Sequence, residues 1–403
     1  MKEIEFNLLT EPWVRVRRPD NTVQEVSLTD ALLHAQDYVD LAGEMPTQNA
    51  AVLRLLLAVL FTVFSRVDAK GKPQPLAQSD DALERWSELW QLGRFPAEPV
   101  RDYLEQWKDR FWLFHPTHPF WQVPTLSNGI EFDGKKLNGE RAESGNKTPL
   151  FQNISKAECA VLTYAQAARW LIYQNGYDER GGRPKAGNKP RHGVGWLGQI
   201  GFVAVKGKNL YETLLRNMAF STEQDALREK QLPCWEREHA RTEQSVEIVM
   251  PKNQAELLTL QSRRILLIRS EEMPGVVGYE VLGGDYWDSE NAFGEQMTLW
   301  RRTSKENEKV TYEPQQHEMG KQLWRELPAM LDPEGRKPGV LIWNQKLQSL
   351  RILSKKEQIV ISVVGIRYDD QGASVKDVYT DQLEMQLATL NDLGRKWTVR
   401  ISR

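Results

Sequence analysis

The chain of 403 residues is predicted to fold as an α+β protein. Strand-like and helix-like segments follow one another in irregular order, rather than in the strict alternation that builds parallel α/β sheets. Hydrophobic residues make up 40% of the chain and include 14 Trp, which supplies enough apolar surface for a large core. The length predicts two or three domains, or one large core with insertions.

The first third of the chain is predicted to begin with a hairpin and to continue with helices. Residues 6–18 carry β-propensity, a turn follows at 19–21, and residues 22–26 can return as the second strand. Apolar residues lie nearly all round the segment that Thr47 caps and Phe64 ends, which predicts a buried core helix. A second helix is capped by Ser79 or Asp80 and ended by Gly93, and Pro99 suits the first turn of a third.

The clearest helix signal in the sequence covers residues 156–175. Ser155 and Glu158 match the S-x-x-E capping box, and Gly176 occupies the position that follows a helix. Downstream, the pattern predicts a strand at 200–205 and a helix at 210–220. The second half predicts a hairpin over 265–270 and 276–282, a helix at 322–331, a buried strand at 359–368 and a helix beyond Gln382.

The charge of the chain is unevenly distributed. The net charge is −2, which excludes a globally basic nucleic-acid binder. Residues 134–208 nevertheless hold 13 Lys or Arg against 5 Asp or Glu, so the excess of positive charge is confined to one region. Such a concentration on a mildly acidic body suits local contact with phosphate, although a solvated basic surface has the same composition.

Residues 176–202 form the most unusual segment of this region. They contain eight glycines, two prolines and five Lys or Arg, without helical or strand periodicity before Trp196. A connection of this length is usually either functional or disordered. Glycines allow a close approach of the backbone, and Arg180, Arg183, Lys185, Lys189 and Arg191 supply cations for phosphate contact. Phe151, with Lys147 and Lys156 nearby, offers an aromatic ring and further cations.

Enzyme motifs are weak in this sequence. Gly193–Gly198 matches G-x-G-x-x-G, but a dinucleotide site needs a strand before the motif and a helix after it, and here the order is reversed. His115 and His118 lie among prolines with no third metal ligand, so we expect them to pack in the fold. Asp285 and Asp288 are expected to be solvated loop acids. We therefore predict no catalytic site, no cofactor and no metal.

The sequence indicates a protein of a reducing cytoplasm. Its two cysteines, Cys159 and Cys234, are too few for a disulfide scaffold, and buried thiols are expected. The N-terminus has no signal-peptide pattern, and the apolar run 53–64 contains Arg54 and is too short to cross a bilayer.

Six stretches in order resemble the CasA family, the large subunit of the type I-E CRISPR surveillance complex (Cascade). They cover nearly the whole chain and are specific in combination. They read FNLLTEPWV from Phe6, GEMPTQ from Gly43, FHPTHPFWQV from Phe114, GVGWLG from Gly193, LTLQSRR from Leu258 and VGIRY from Val364.

The resemblance implies a large α+β domain over 1–380, followed from residue 381 by the start of a helical bundle. Because the chain ends where the first bundle helix would run, the rest of the bundle is expected to be missing, as in a truncated form or a short member. The resemblance also implies a protein that is not an enzyme. Its partners would be double-stranded target DNA, the guide RNA with the other Cascade subunits, and the helicase-nuclease that degrades the target. It would read the protospacer-adjacent motif (PAM) and help to open the duplex.

Site residues follow from the same resemblance. The first DNA-contacting loop of the family corresponds to Phe151 and Asn153, and its glycine loop to Gly181 and Gly182 with Arg183 and Lys185, although Gly176 or Gly187 could serve instead. The wedge that separates the strands corresponds to Glu290, Asn291 and Ala292, where Asn291 stands in place of a glutamine. Lys252 and Arg264 are the two candidates for a cation in the minor groove.

Two other classes of function stay open at this point. One is an enzyme whose nucleotide cofactor sits on Gly193–Gly198, and the other is a scaffold that binds only protein partners. Calorimetry with NAD or ATP would detect the first, and the second predicts no effect of loop mutations on DNA binding.

Overall fold

The computed structural model describes residues 4–138, 161–180, 193–220, 230–238, 241–244, 248–304, 309–327, 330, 336–354 and 356–388. Helices and several small antiparallel sheets share one large hydrophobic core, which confirms the predicted α+β class. The helices are α1 (Leu28–Leu33), α2 (Pro46–Phe64), α3 (Ser79–Leu92), α4 (Ala97–Gln106), α5 (Gly134–Leu137), α6 (Tyr164–Tyr177), α7 (Trp196–Gln199), α8 (Leu210–Asn217), α9 (Gln254–Leu258) and α10 (Gly339–Ser349).

The strands pair into five small sheets. In chain order they are β1 (Glu5–Asn7), β2 (Val14–Arg17), β3 (Val23–Val26), β4 (Asp40–Leu41), β5 (Trp112–Phe114), β6 (Ile130–Asp133), β7 (Phe202–Lys206), β8 (Arg263–Arg269), β9 (Val276–Gly283), β10 (Leu299–Arg302), β11 (Tyr312–Gln315), β12 (Gln358–Tyr368) and β13 (Val375–Gln386). The sheet orders are β1-β5, β3-β2-β4, β6-β9-β8, β10-β11 and β13-β12-β7. The predicted hairpins β2–β3 and β8–β9 and the predicted strand β12 are confirmed.

Helix α2 is the centre of the core. Its length and composition would allow it to cross a membrane, but 94% of its most apolar stretch is buried inside the protein. The helix is therefore longer than the apolar run 53–64 seen in the sequence. Its burial in the core explains why it is so apolar. It begins at Pro46 after Met45, so Thr47 lies within the first turn and is not the cap.

The next two helices follow the sequence closely. Helix α3 is capped by Gln78, which forms a capping box with Asp81, one residue before the predicted Ser79. It ends at Gly93, whose φ of 66° lies in the left-handed region that favours glycine. Helix α4 carries Pro99 in its first turn, as expected.

The start of α6 differs from the prediction. Residues Ser155 and Glu158 lie outside the described residues, and residues 161–163 are not helical, because Leu162 pairs with Val276 as an isolated β-bridge. The helix starts at Tyr164, after a capping box of Thr163 with Gln166. Gly176 lies inside the last turn rather than beyond it. A Cβ there would come within 2.6 Å of a methyl group of Leu197, so a glycine lets α7 pack against α6.

The helix expected beyond Gln382 is also wrong at its start. Strand β13 continues to Gln386 and pairs with β12 along its whole length. Leu383 and Met385 pack against the core from this strand, so cross-strand pairing overrides the helix propensity of the segment. A domain boundary near residue 380 stays a prediction. The helix expected at 322–331 begins as a 3-10 turn over Leu323–Arg325.

Candidate nucleic-acid interface

The basic segment 181–192 lies outside the described residues, and so do the predicted site residues Gly181, Gly182, Arg183 and Lys185. Phe151 and Asn153 lie in a second such segment, 139–160. The structure does describe the residues that flank both segments. Segment 181–192 contains four Lys or Arg and no Asp or Glu, and the flanking residues show to which part of the fold it is joined.

Arg263 joins the two ends of segment 181–192. Its Nε donates to the Asp178 carboxylate at 2.6 Å, and its Nη2 donates to the carbonyl groups of Asp178, Glu179 and Gly193 at 3.0–3.1 Å. Both side chains of the Arg263–Asp178 pair are only 2% exposed. Breaking such a buried pair costs on the order of 3–5 kcal/mol. The residues on either side of the segment are therefore held together at one buried point, which we call the Arg263 clamp (Arg263, Asp178, Glu179 and Gly193).

Further hydrogen bonds fix the same point to neighbouring elements. The amide of Gly195 donates to the Asp178 carbonyl at 2.9 Å, and the Arg180 amide donates to the Gly372 carbonyl at 2.7 Å. The hydroxyl of Tyr368 in β12 donates to the Tyr177 carbonyl, and burial raises the pKa of this hydroxyl well above its usual value. The clamp is thus connected to α6, α7 and the β12–β13 turn.

The second segment starts beside the clamp. Lys136, at the end of α5, forms an ion pair of 2.5 Å with Glu179, and both side chains are nearly buried. Gln174 of α6 donates to the Leu137 carbonyl at 3.1 Å. The residues that precede segment 139–160 therefore lie near the C-terminal end of α6, and Thr163, which follows it, caps the N-terminal end. The residues that precede both segments lie at the same end of α6.

The predicted wedge residues differ in their surroundings. Glu290 is exposed, whereas Ala292 is only 1% exposed. Asn291 has a φ of 52°, a left-handed conformation that asparagine tolerates better than most residues. Its amide donates to the Tyr312 carbonyl at 2.8 Å, and its Oδ1 accepts from the Tyr312 amide at 2.9 Å. The side chain of Asn291 is thus attached to β11, and the wedge assignment stays a prediction.

Arg264 is not available to contact DNA. The residue is completely buried, and its guanidinium donates to the Asp285 carboxylate at 2.7 Å and to the carbonyl groups of Gln261 and Thr242. The expectation that Asp285 is a solvated loop acid is wrong for the same reason, because Asp285 is 1% exposed and pairs with Arg241 and Arg264. Lys252 is exposed and stays a candidate.

The G-x-G-x-x-G match has a structural explanation. Its last residues form the short helix α7, and β7 follows it, so the order of elements is opposite to that of a dinucleotide site. A Cβ on Gly195 would lie 2.6 Å from the carbonyl carbon of Gly176, and one on Gly198 would lie 3.0 Å from the ring of Tyr368. These glycines allow close packing against α6 and β12, and the strand predicted at 200–205 follows them as β7.

The histidine and cysteine candidates are parts of the fold. Nδ1 of His115 accepts from the amides of Thr117 and His118, and the two imidazole rings stack at 5.5 Å. Sγ of Cys234 accepts from the Trp121 indole, and burial raises the pKa of the thiol to about 11. Cys159 lies outside the described residues. Within the described ranges, His, Cys, Asp and Glu side chains form no group of three that could hold a metal.

Sequence reasoning did not find Arg263. Its principal partner, Asp178, is 85 positions away, so no local pattern connects them. One signal was present: Arg263 and Arg264 begin a strand, RRILLIR, that is otherwise mostly apolar and buried. Two consecutive charges at a buried strand end require buried partners on both faces of the sheet.

The fold and the clamp define a class of protein: an α+β protein of several small sheets, in which a buried arginine holds together the two ends that flank a basic segment. Residues 7–403 match the family of the CRISPR-associated protein Cse1, and the chain belongs to that family. The resemblance to the CasA family is thereby confirmed.

Similar proteins agree with this assignment. The chain is 36% identical over 237 residues to the CRISPR-associated protein CasA/Cse1 of Thermus thermophilus. The aligned region covers 57% of this chain and 42% of that relative. The alignment thus covers less than half the length of this curated relative. The fold resembles the crystal structure of Thermobifida fusca Cse1 with a TM-score of 0.84 and 30% identity, covering 99% of this chain and 77% of the other. A chain of a CRISPR RNA-guided surveillance complex shares the fold, with a TM-score of 0.75 at 23% identity, covering 96% and 77%.

Proposed function

We propose that this protein is the non-catalytic large subunit of a type I-E CRISPR surveillance complex in the cytoplasm, and that it reads the PAM of double-stranded DNA. The observation that carries the proposal is the Arg263 clamp, whose residues flank a segment of 12 residues that holds four Lys or Arg and no Asp or Glu. Cations on a short segment with fixed ends can contact phosphates in a constant register. Membership in the Cse1 family supports the same assignment.

Segments 139–160 and 181–192 would act together in this role. The Lys136–Glu179 ion pair brings their starting points together, so Phe151 and Asn153 can reach the same stretch of duplex as Arg183 and Lys185. Gly181 and Gly182 would let the backbone approach a groove closely. The guide RNA, the other Cascade subunits and a helicase-nuclease would be its partners, because protein in such systems reads a short motif and base pairing reads the rest.

The test is reconstitution of the guide-RNA complex against a randomised PAM library, with and without this chain. We expect enrichment of specific motifs only when the chain is present. The double variant Arg183→Glu/Lys185→Glu should lose that enrichment and lower the slope of log K against log salt. Unchanged enrichment and slope in the variant would contradict the proposal and favour a scaffold that binds only proteins.

The wedge proposal needs its own variant. Asn291→Ala would lose the hydrogen bond to Tyr312 and strain the left-handed backbone, so it would mix folding with function. Asn291→Asp keeps an acceptor for the Tyr312 amide and tolerates that conformation, but it places a negative charge where a base would stack. We expect Asn291→Asp to reduce permanganate reactivity of target thymines while initial docking is retained. Wild-type reactivity in this variant would remove Asn291 from the wedge.

A further inference from the structure

A small cleft of about 50 Å³ is lined by residues that take no part in the Arg263 clamp. Three guanidinium groups line it, from Arg110, Arg237 and Arg241, together with His118 and Gln261. Arg263 and Arg264 are consecutive residues of β8 and project to opposite faces, where Arg263 serves the clamp and Arg264 lies behind the cleft beside Asp285.

The cleft contains polar groups without protein partners. Within the described residues, the side chain of Arg110 makes no hydrogen bond or ion pair, and Nη1 of Arg237 is buried without a partner. The remaining contact of Arg237 is a long one, at 3.5 Å, to Glu256. Gln261 is only 6% exposed, and its side-chain amide has no hydrogen-bond partner among the described residues. Nδ1 of His118 is likewise buried and unpaired there.

Among the described residues, nearby carboxylates neutralise this charge only in part, with Glu256 beside Arg237 and Asp285 beside Arg241. Asp285 is shared between Arg241 and Arg264, so one negative charge serves two guanidinium groups. Glu236 is engaged by Arg66 and by the hydroxyl of Tyr103. The pKa of His118 is lowered by burial and then by the positive charges of Arg110 and His115, in accord with a local excess of positive charge.

We propose that this cleft binds a single phosphate group. A buried donor without a partner costs free energy, and an oxyanion in the cleft would satisfy that of Arg237 and could also accept from the Gln261 amide. Guanidinium groups from three chain positions match a tetrahedral oxyanion better than a planar carboxylate, which one arginine can bind with both oxygens. One water molecule needs roughly 10–15 Å³ of cavity volume. The cleft of about 50 Å³ therefore admits a group of a few heavy atoms and excludes a nucleoside.

The aromatic side chains around the cleft strengthen this interaction. Phe120, Trp121 and Trp235 line it and are each less than one tenth exposed. They exclude water from one side, and a lower local dielectric makes contacts between arginine and phosphate stronger than on an open surface. The phosphate can be free or part of a nucleic-acid backbone, and both sources present the same oxygens.

The test is thermal unfolding of the full chain in increasing inorganic phosphate, with ionic strength held constant by sodium chloride. Binding to the folded state must raise Tm with phosphate concentration. Arg110→Gln should weaken the phosphate Kd on the order of tenfold, the value of one hydrogen bond to a charged group, and Arg110→Lys should weaken it less. Arg110 has no partner among the described residues, so both variants should fold normally.

Arg101→Gln is the matched control, because Arg101 is exposed on α4 and does not line the cleft. A phosphate effect no larger than that of chloride, or an equal loss in Arg101→Gln and Arg110→Gln, would overturn the proposal. A single-stranded oligonucleotide distinguishes the two sources. If it competes with phosphate in the wild type but not in Arg110→Gln, the backbone is the source, and if it does not compete, the ligand is free phosphate. This result is independent of PAM reading, because it requires neither the complex nor segment 181–192.

Discussion

The guanidinium of Arg54, a residue of the apolar helix α2, donates to the two carboxylate oxygens of Glu295 at 2.9 and 3.0 Å. The side chains are 4% and 1% exposed. The same carboxylate accepts from the Trp196 indole at 2.8 Å, so the pair connects α2 to α7. The charge that interrupts the apolar run 53–64 is therefore a fixed attachment point for the element that follows segment 181–192.

Removing one partner of this pair should destabilise the whole protein. Arg54→Met leaves the Glu295 carboxylate buried without its cation, and we expect the free energy of unfolding to fall by about 3–5 kcal/mol. Urea unfolding measures this change. The control is Arg301→Ala, which removes the exposed Arg301–Glu313 pair and should cost less than about 1 kcal/mol. Equal losses in the two variants would show that the buried pair has no special weight.

Arg263 should affect DNA binding through position rather than through charge. Arg263→Lys keeps the positive charge but cannot donate to Asp178 and Gly193 together, so the ends of segment 181–192 lose their fixed spacing. In the reconstituted complex we expect weaker DNA binding with an unchanged salt slope, because the cations that contact phosphate are retained. Arg183→Glu/Lys185→Glu should change both quantities. A reduced slope in Arg263→Lys would instead mean that Arg263 itself contacts DNA.

The glycines of the GVGWLG motif offer a matched pair of variants. Gly195→Ala places a methyl group against the backbone of Gly176, which cannot move aside, and should cost about 1–3 kcal/mol. Gly195 has a φ of −55°, so the cost comes from the collision and not from the backbone angle. In Gly193→Ala the added methyl group would lie 3.8 Å from its nearest neighbour, the side chain of Gln199, and the substitution should be nearly neutral. Chemical denaturation measures the difference in stability between the two variants. If the motif held a nucleotide, both variants would instead change the heat of nucleotide binding.

Stability should fall in acid partly through Glu44. Burial raises the pKa of this carboxyl, but hydrogen bonds from Arg169 and its charge outweigh burial, and the pKa lies below the usual 4.5. A lowered pKa in the folded state means that the stabilisation is present above the unfolded pKa and is lost as pH falls through the folded value. Glu44→Gln should therefore unfold at lower urea than the wild type at pH 7, and the difference should shrink as pH falls below about 4.5. Glu384→Gln is the control, because Glu384 is exposed on β13.

Local patterns predicted the elements whose partners are close in sequence. The β2–β3 and β8–β9 hairpins and the end of α3 at Gly93 follow from strand propensity and turn chemistry. The start of α6 was misplaced because the same type of capping signature occurs at Ser155–Glu158 and at Thr163–Gln166, and the pairing of Leu162 with Val276 selects the second. Strand β13 was missed because its helix-favouring residues pair with β12.

The candidate site was predictable only in its outline. The basic composition of 181–192 is visible in the sequence, whereas the Arg263 clamp depends on contacts between residues 70 to 85 positions apart. The pairing of Asp285 with Arg264 likewise required the fold, because the polar sequence around it resembles a solvated loop. Buried charge pairs are the feature that local periodicity predicts least well, since neither partner marks the other.

The clamp has a consequence for how new specificities can arise. Among the described residues, Arg263 and Gly372 hold the two ends that flank segment 181–192, so we expect the 12 residues between them to be exchangeable as a cassette without rebuilding the body of the protein. A chimera carrying a different insert between Arg180 and Gly193 should unfold at the same urea concentration as the parent while its DNA preference changes. Evolution of the DNA signal that marks foreign sequence can then proceed by substitution in this cassette, separately from selection on folding.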